Sequence, residues 1–247
     1  MRLDLEPYAS SFSGYTELRA HRNANINITL LNGNLVGNSR SDTGGGSARV
    51  YKNGAWGFAS SPDAAKLGEV LQHASRNAQF LGERSKRANH KLVETSFRAE
   101  KDFSTRKSRF TQKHLVDFAK AVDAYAVKTY PDLKSRHIIL SNLDMERSLL
   151  TSGGARGYSY IPRAHLMVRL GLEKDGATVD IFDSLGGLGH FEDQFDDPSK
   201  AFPLIDELYR KVKEKQEGVY AEAGTHDCIL MPNLAGILAH EAIGHTT

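Results

Sequence analysis

The chain lacks the features that mark secreted, disulfide-bonded or membrane-spanning proteins. It has 247 residues and one cysteine, Cys228, so an internal disulfide framework is excluded and a reducing compartment is expected. No apolar run is long enough to cross a membrane, and acidic residues stand near the start, where a signal peptide needs an apolar core. We therefore expect a cytoplasmic protein with no membrane partner.

A strong excess of charge is also absent. The formal net charge is +2, which argues against both a nucleic-acid-binding protein and a specialist for acidic substrates. Hydrophobic residues make up 40% of the chain and charged residues 25%, the proportions of a globular protein. The glycine-rich stretch 43–47 lacks the Lys-Ser/Thr ending of a phosphate-binding loop, so we interpret it as a flexible connection between strands.

Two histidines and a glutamate lie close together near the end of the sequence. His240, Glu241 and His245 form the pattern His-Glu-x-x-x-His, one residue longer than the His-Glu-x-x-His pattern of zinc peptidases. Imidazole nitrogens bind zinc and related metals, and an adjacent glutamate can accept a proton from metal-bound water. The residues therefore favour a metal site over the alternative, in which histidines at a helix end have no ligand function.

The extra residue restricts the backbone of this motif. Residues five positions apart on an α-helix point about 140° away from each other, so one unbroken helix cannot direct His240 and His245 at a single ion. Either the helix contains a π-type bulge, or it ends near Gly244 and His245 follows in a turn. Gly244 fits the second arrangement, because glycine commonly ends a helix.

Two stretches carry a family resemblance. Residues 228–245 resemble the metal-binding helix of the TldD/PmbA family of metallopeptidases, and their His-Glu-Ala-x-Gly-His core is typical of the TldD branch. Residues 48–58 resemble the paired strands of that family, which end in Gly-x-x-Gly-Phe and precede a helix. The resemblance extends along the whole chain but covers only about the N-terminal half of a typical family member.

The resemblance implies a zinc-dependent peptidase that hydrolyses peptides or unfolded polypeptide segments. It implies that His240 and His245 bind zinc, that Glu241 is the general base, and that the protein dimerises with a second copy or with a PmbA/TldE-like subunit. In the family, a cysteine from the C-terminal half completes the metal site, and Cys228 does not correspond to it. We therefore expect this chain to be inactive alone. The alternative is a peptide- or partner-binding module without catalysis.

The spacing of apolar residues predicts an α+β fold, with mixed or mainly antiparallel sheets and helices packed on their faces. It divides the chain into two sheet-then-helix subregions, 1–83 and 111–247, joined by a charged connector, 84–110. The basic residues of the connector suggest a nucleic-acid patch, but acidic residues are interleaved. A solvated connector is therefore the preferred interpretation.

Particular elements follow from turns, caps and periodicity. Hairpin turns are predicted at Asn32-Gly33, Asn53-Gly54 and Asp175-Gly176. Helices are predicted from Ser61, Thr111, Asp197 and Pro232, the last with Leu234, Ile237 and Leu238 facing inward. Short strands are predicted at 137–140, 147–151 and 227–231. Trp56 and Phe58 are expected in the core, and the alternative is an exposed aromatic pair that holds a peptide. His190 is expected in a solvated glycine-rich loop, and the alternative is that it reaches a substrate.

Overall fold

A computed structural model describes residues 3–85 and 87–245, which form two compact units, Met1–Gln216 and Glu217–Thr247. The strands are β1 Tyr15–Leu31, β2 Asn34–Lys52, β3 Ala55–Ser61, β4 Arg98–Asp102, β5 Ser135–Thr151, β6 Arg156–Lys174 and β7 Ala177–Leu188. The helices are α1 Leu67–Gly82, α2 Gln112–Thr129, α3 Phe191–Gln194, α4 Phe202–Glu217 and α5 Pro232–Ala239.

One seven-stranded sheet runs through the first unit. Its strand order is β3-β2-β1-β5-β6-β4, and β7 pairs with another part of β6. Strand β4 lies parallel to β6 at its start, whereas β7 lies antiparallel to the rest of it. The other neighbours are antiparallel. The predicted α+β fold with a mainly antiparallel sheet and helices is confirmed.

The three predicted hairpin turns are present. Asn32-Gly33, Asn53-Gly54 and Asp175-Gly176 each connect two strands, and both residues of each turn have a positive φ, between 48° and 78°. This is the backbone of a type I′ turn, which asparagine, aspartate and glycine adopt at little cost. The turns therefore set the register of the hairpins β1–β2, β2–β3 and β6–β7.

Both hydrophobic cores lie on the same face of the sheet. Side chains alternate between faces along a strand, and the buried residues of β1, β5 and β6 in the two cores are even-numbered. Helices α2 and α4 pack there with their predicted apolar stripes, and α1 covers the end near β3. The opposite face carries the odd-numbered residues of β1, β5 and β6 and is called the open face below.

Helix α1 approaches the sheet very closely at Gly57. A Cβ atom at this position would overlap the carbonyl oxygen of Ala74 and the amide nitrogen of Ala78. Since Gly57 faces the helix, its neighbours Trp56 and Phe58 point to the other face and are 38% and 56% exposed. The prediction that these two aromatic residues lie in the core is therefore wrong.

The start of α1 also differs from the prediction. Asp63, and not Ser61, accepts a hydrogen bond from the Ala65 amide at 2.9 Å and caps a short 3₁₀ turn that leads into the helix. Thr111 caps α2 as predicted, by accepting from the His114 amide. Asp197 accepts from the Ser199 amide at the start of the turn that leads into α4.

Two strands are longer than the sequence indicates. The stretch 43–47 is part of β2 and pairs with β1, so it is not a flexible connection. Its glycines allow close approach, since a Cβ at Gly44 would lie 2.7 Å from the His21 carbonyl oxygen. The predicted strands 137–140 and 147–151 are one strand, β5, whose polar middle is stabilised by the Asn142 side chain donating to Asp144.

The second unit contains α5 and the turn that follows it. Pro232 lies at the start of α5, as predicted, but the structure has no strand at 227–231. Leu234, Ile237 and Leu238 were expected to face inward and are 52%, 56% and 53% exposed. The prediction that these three side chains face inward is therefore wrong for the described residues.

The described residues contain no helix that is both long enough and apolar enough to span a membrane.

Candidate metal centre

The motif lies at the end of α5, where the backbone changes from an α-helical to a π-helical repeat. Helix α5 ends at Ala239, and His240–Gly244 form a π-helical turn. Hydrogen bonds in a π-helix join residues five positions apart, whereas those in an α-helix join residues four apart. Of the two backbone arrangements that the spacing allows, the structure therefore has the π-type bulge.

The π-helical turn places the three side chains of the motif together. The ring centroids of His240 and His245 are 4.6 Å apart, at an interplanar angle of 72°. The Nε2 atom of His245 lies 3.7 Å from Oε2 of Glu241. One potential ligand atom from each residue can be chosen so that all lie within 4.8 Å of one another. In the described part of the chain, no other group of three residues chosen from histidine, cysteine, aspartate and glutamate lies this close together.

The donor atoms fit a zinc ion. Two imidazole nitrogens and a carboxylate are typical zinc donors, whereas calcium and magnesium prefer oxygen ligands alone. The side chains of His245 and Glu241 are 63% and 62% exposed, so the group is accessible. Cys228, which is also exposed, is not part of this cluster.

Gly244 leaves space for one of the rings. A Cβ atom at this position would lie 3.3 Å from Nδ1 of His240, closer than most side-chain contacts. From the sequence alone, this glycine fits the end of a helix, but in the structure it is the last residue of the π-helical turn. Its lack of a side chain therefore affects the position of His240 directly.

A second polar cluster, in the first unit, was missed by the sequence analysis. His190 is 2% exposed, and its Nδ1 atom lies 3.2 Å from Oδ1 of Asp144. Nearby, the Nε atom of Arg109 lies 2.6 Å from Oε1 of Glu192. Glu192 is also 2% exposed. The expectation of a solvated histidine is wrong, because a distant strand and the connector cover the loop.

The charges of this cluster compensate one another. Burial alone raises the pKa of Asp144, but the contact with His190 and the positive charge of Arg109 outweigh burial and lower it. Burial and the negative charge of Asp144 raise the pKa of Tyr160. Through its ion pairs with Asp144 and Glu192, Arg109 attaches the end of the connector to β5 and α3.

The connector is thus only partly solvated. It contributes β4 to the sheet, and Lys107 Nζ donates to the Glu192 carbonyl oxygen at 2.9 Å. Lys86, one of its basic residues, lies outside the described residues. The sequence shows the mixture of charges along the connector, but it does not show which parts of the chain the connector contacts.

Comparisons with known proteins agree with this fold. Residues 16–78 match the family model described as PmbA/TldA metallopeptidase domain 1. A metalloprotease of Methanothermobacter thermautotrophicus is 26% identical, over 94% of this chain and 50% of the relative. A metalloprotease of Methanocaldococcus jannaschii is 24% identical, over 94% of this chain and 51% of the relative. The chain therefore spans about half the length of the curated relatives it matches.

Solved structures share the fold at low sequence identity. TldE from Thermococcus kodakarensis superposes with a TM-score of 0.59 and 15% identity, over 84% of this chain and 46% of that chain. A putative modulator of DNA gyrase from Bacteroides thetaiotaomicron gives a TM-score of 0.61 and 16% identity, over 83% of this chain and 48% of that chain. At these identities the likeness supports the fold alone.

The chain is thus similar in sequence to part of two proteins named metalloproteases and shares the fold of part of TldE. The match of residues 16–78 to the first domain of the PmbA/TldA family and the two metalloprotease relatives agree with the family resemblance of the sequence.

Proposed function

We propose that this chain supplies the metal-binding helix of a zinc-dependent peptidase of the TldD type. One observation carries the proposal: the π-helical turn brings His240, Glu241 and His245 together despite a spacing that an α-helix could not use. The names of the two curated relatives support metal-dependent proteolysis as the reaction. The donor set of the cluster supports zinc as the metal.

Each residue of the motif has a proposed role. His240 and His245 bind the zinc ion through ring nitrogens, and Glu241 accepts the proton of the water molecule that attacks the peptide carbonyl. Bound zinc supplies a Lewis acid that polarises this carbonyl and makes the water more acidic. The short distance between Glu241 and His245 is compatible with these roles, because a general base must lie beside the ligands.

The activity is proposed for a larger protein that contains this chain. Catalytic zinc sites usually have three protein ligands, and the motif provides two imidazoles. The family resemblance implies that a cysteine from the C-terminal half of the family is the third ligand. We therefore expect weak metal binding and no turnover from the chain alone. Peptides or unfolded segments are the proposed substrates.

The proposed setting is a dimer in the cytoplasm. The partner is either a second copy or a PmbA/TldE-like subunit. Neither a nucleic acid nor a membrane is proposed as a partner.

Elemental analysis tests the metal site. Zinc is measured in this chain and in a chain extended to the full length of the relatives, each with and without His240→Ala. We expect close to one zinc per extended chain, and loss of that zinc in the variant. An extended chain with no zinc would contradict the proposal.

Peptide hydrolysis by the extended chain tests the general base. Glu241→Gln keeps the size of the side chain but removes its basicity, so the variant is expected to retain zinc and lose turnover. Normal hydrolysis by this variant would show that Glu241 is not the base.

The second candidate function is a peptide- or partner-binding module. The uncovered open face of the sheet favours it, because a binding surface there needs no metal. Binding of a partner that persists after alanine replaces both His240 and His245, in an extended chain without zinc, would favour this candidate.

A further inference from the structure

An open trough crosses the uncovered face of the sheet. Two neighbouring rows of residues run from β1 through β5 and β6 to β4. The first row contains Arg19, Leu149, Gly157 and Ala99, and the second contains His21, Arg147, Ser159 and Lys101. These residues line a volume of about 710 Å³. Strand β4, which lies parallel to β6, contributes Ala99 and Lys101 to this trough.

The trough is positively charged. Arg19, Arg147 and Lys101 line it together with His21, and none of the lining residues is an aspartate or a glutamate. Arg19 is paired with Glu17 at 3.1 Å. The Arg147 guanidinium lies against Sδ of Met145, and in the described part of the chain neither Arg147 nor Lys101 has a carboxylate partner. Two exposed cations are therefore available to a ligand.

The floor of the trough is shallow and apolar. Gly157 lies at its centre, and a Cβ atom there would contact only Cβ of Leu149, at 3.6 Å, an ordinary packing distance. The side chains of Leu149 and Ala99 flank this glycine. A ligand can thus pack on the floor while its charged groups reach Arg147 and Lys101.

We propose that this trough binds an acidic segment of a polypeptide. Carboxylates form short, charge-assisted hydrogen bonds with arginine, and the apolar floor accommodates the rest of an extended chain. A single-stranded nucleic acid would need aromatic side chains for its bases to stack on. Among the lining residues, Tyr158 is the tyrosine, and its hydroxyl donates to Glu146. Tyr158 is also one of the even-numbered residues, which face the helices, so its ring is not offered to the open face.

This inference goes beyond the proposed peptidase function, because it concerns the first unit and requires no metal. It also qualifies an expectation from composition. A net charge of +2 indicated no preference for acidic ligands, but net charge averages over the whole surface and does not reveal a local group of unpaired cations.

Fluorescence anisotropy with the 247-residue chain tests the proposal. The probes are a fluorescein-labelled oligoglutamate peptide, an oligolysine peptide and an oligothymidylate of matched length, all at low salt with a chelator present. Oligoglutamate is expected to bind, and Arg147→Ala with Lys101→Ala is expected to weaken it by about tenfold, the size of a lost charged hydrogen bond. Gly157→Leu, which fills the floor, is expected to weaken binding as well.

A matched control removes two cations elsewhere. Lys120→Ala with Lys128→Ala takes the same charge from the exposed side of α2, which packs on the opposite face of the sheet, and is expected to leave the affinity unchanged. The proposal is overturned if the control weakens binding equally, if no variant changes it, or if oligoglutamate does not bind. Tighter binding of oligothymidylate that is lost in the trough variants would overturn it in favour of a nucleic acid. Since no metal is present, none of these outcomes bears on the zinc site.

Discussion

The guanidinium of Arg136 donates to both carboxylate oxygens of Asp123, at 2.9 and 3.4 Å. The two side chains are only 10% and 7% exposed, so this ion pair between β5 and α2 is buried. It lies beside the β1–β2 turn, where the Arg136 amide donates to the Asn32 side chain at 2.8 Å. A strand, a helix and a turn thus meet at one buried charge pair.

Asp123→Ala is expected to destabilise the protein by about 3–5 kcal/mol, because it leaves a buried guanidinium without its partner. Urea unfolding followed by circular dichroism measures the change. The control is Asp117→Ala, which breaks the exposed Lys113–Asp117 pair and is expected to have little effect on stability, because water screens the two charges. Equal effects of the two variants would show that the burial of the Arg136 pair has no energetic consequence.

Gly57→Ala is expected to destabilise the protein by about 1–3 kcal/mol or more, because the added methyl group overlaps the backbone of α1. Gly68→Ala, in α1 itself, is the control. Its Cβ would meet only a Tyr8 ring carbon at 3.8 Å, so improved helix propensity makes it neutral or slightly stabilising. Thermal unfolding compares the two. A Tm for Gly57→Ala that matches the unsubstituted protein would contradict the close packing of α1 on β3.

Gly244→Ala is expected to lower the zinc affinity of the extended chain by about tenfold, because the new methyl group displaces the ring of His240. Gly236→Ala adds a methyl group to α5 with nothing within 4 Å and is expected to leave zinc affinity unchanged. Competition with a chromogenic chelator measures both affinities. If the two variants bind zinc equally well, the position of His240 does not depend on Gly244.

Stability at alkaline pH is expected to depend on Tyr130. Its hydroxyl and that of Tyr125 both donate to Oδ1 of Asp206 at 2.8 Å, and burial together with Asp206 raises the pKa of Tyr130 to about 12. The folded pKa is above the unfolded value of 10.0, so this contribution is complete below pH 10 and is lost as the pH rises towards about 12.

Tyrosinate absorbance of the protein, minus that of Tyr130→Phe, measures this titration. Asp206→Asn removes the negative charge and is expected to lower the pKa of Tyr130. A difference spectrum that already titrates near pH 10 in the unsubstituted protein would show that the hydrogen bond to Asp206 does not form.

Local signals predicted much of the fold. The dipeptides at the hairpin turns require positive φ, and the apolar stripes of α1, α2 and α4 are continuous, so these elements could be placed without tertiary information. These local signals could not predict which face of β3 is buried. Alternation defines two faces but does not show which one is buried. Gly57 has no side chain to contribute to a core, yet it is the residue that contacts α1.

The assignment of His240, Glu241 and His245 to a metal site stays a prediction, and the backbone that brings them together could not be predicted from the sequence. The spacing of His240 and His245 excluded a regular α-helix, yet it did not decide between a π-helical turn and a helix end. Glycine is compatible with both, and Gly244 favoured the wrong choice. The cluster around His190 was not predictable, because its partners come from a distant strand and from the connector.

The pairing of β1 with β5 has a consequence for the order of folding. The hydrogen bond between Asn32 and Arg136 at one end of this pairing joins residues 104 positions apart, and closing so long a loop carries a larger entropic cost than forming the adjacent hairpins. We expect the hairpins β1–β2 and β6–β7 to gain amide protection first in pulsed hydrogen exchange, and the β1–β5 amides last. Until that step, β1 and β5 each present an unpaired edge, so the refolding yield should fall as protein concentration rises.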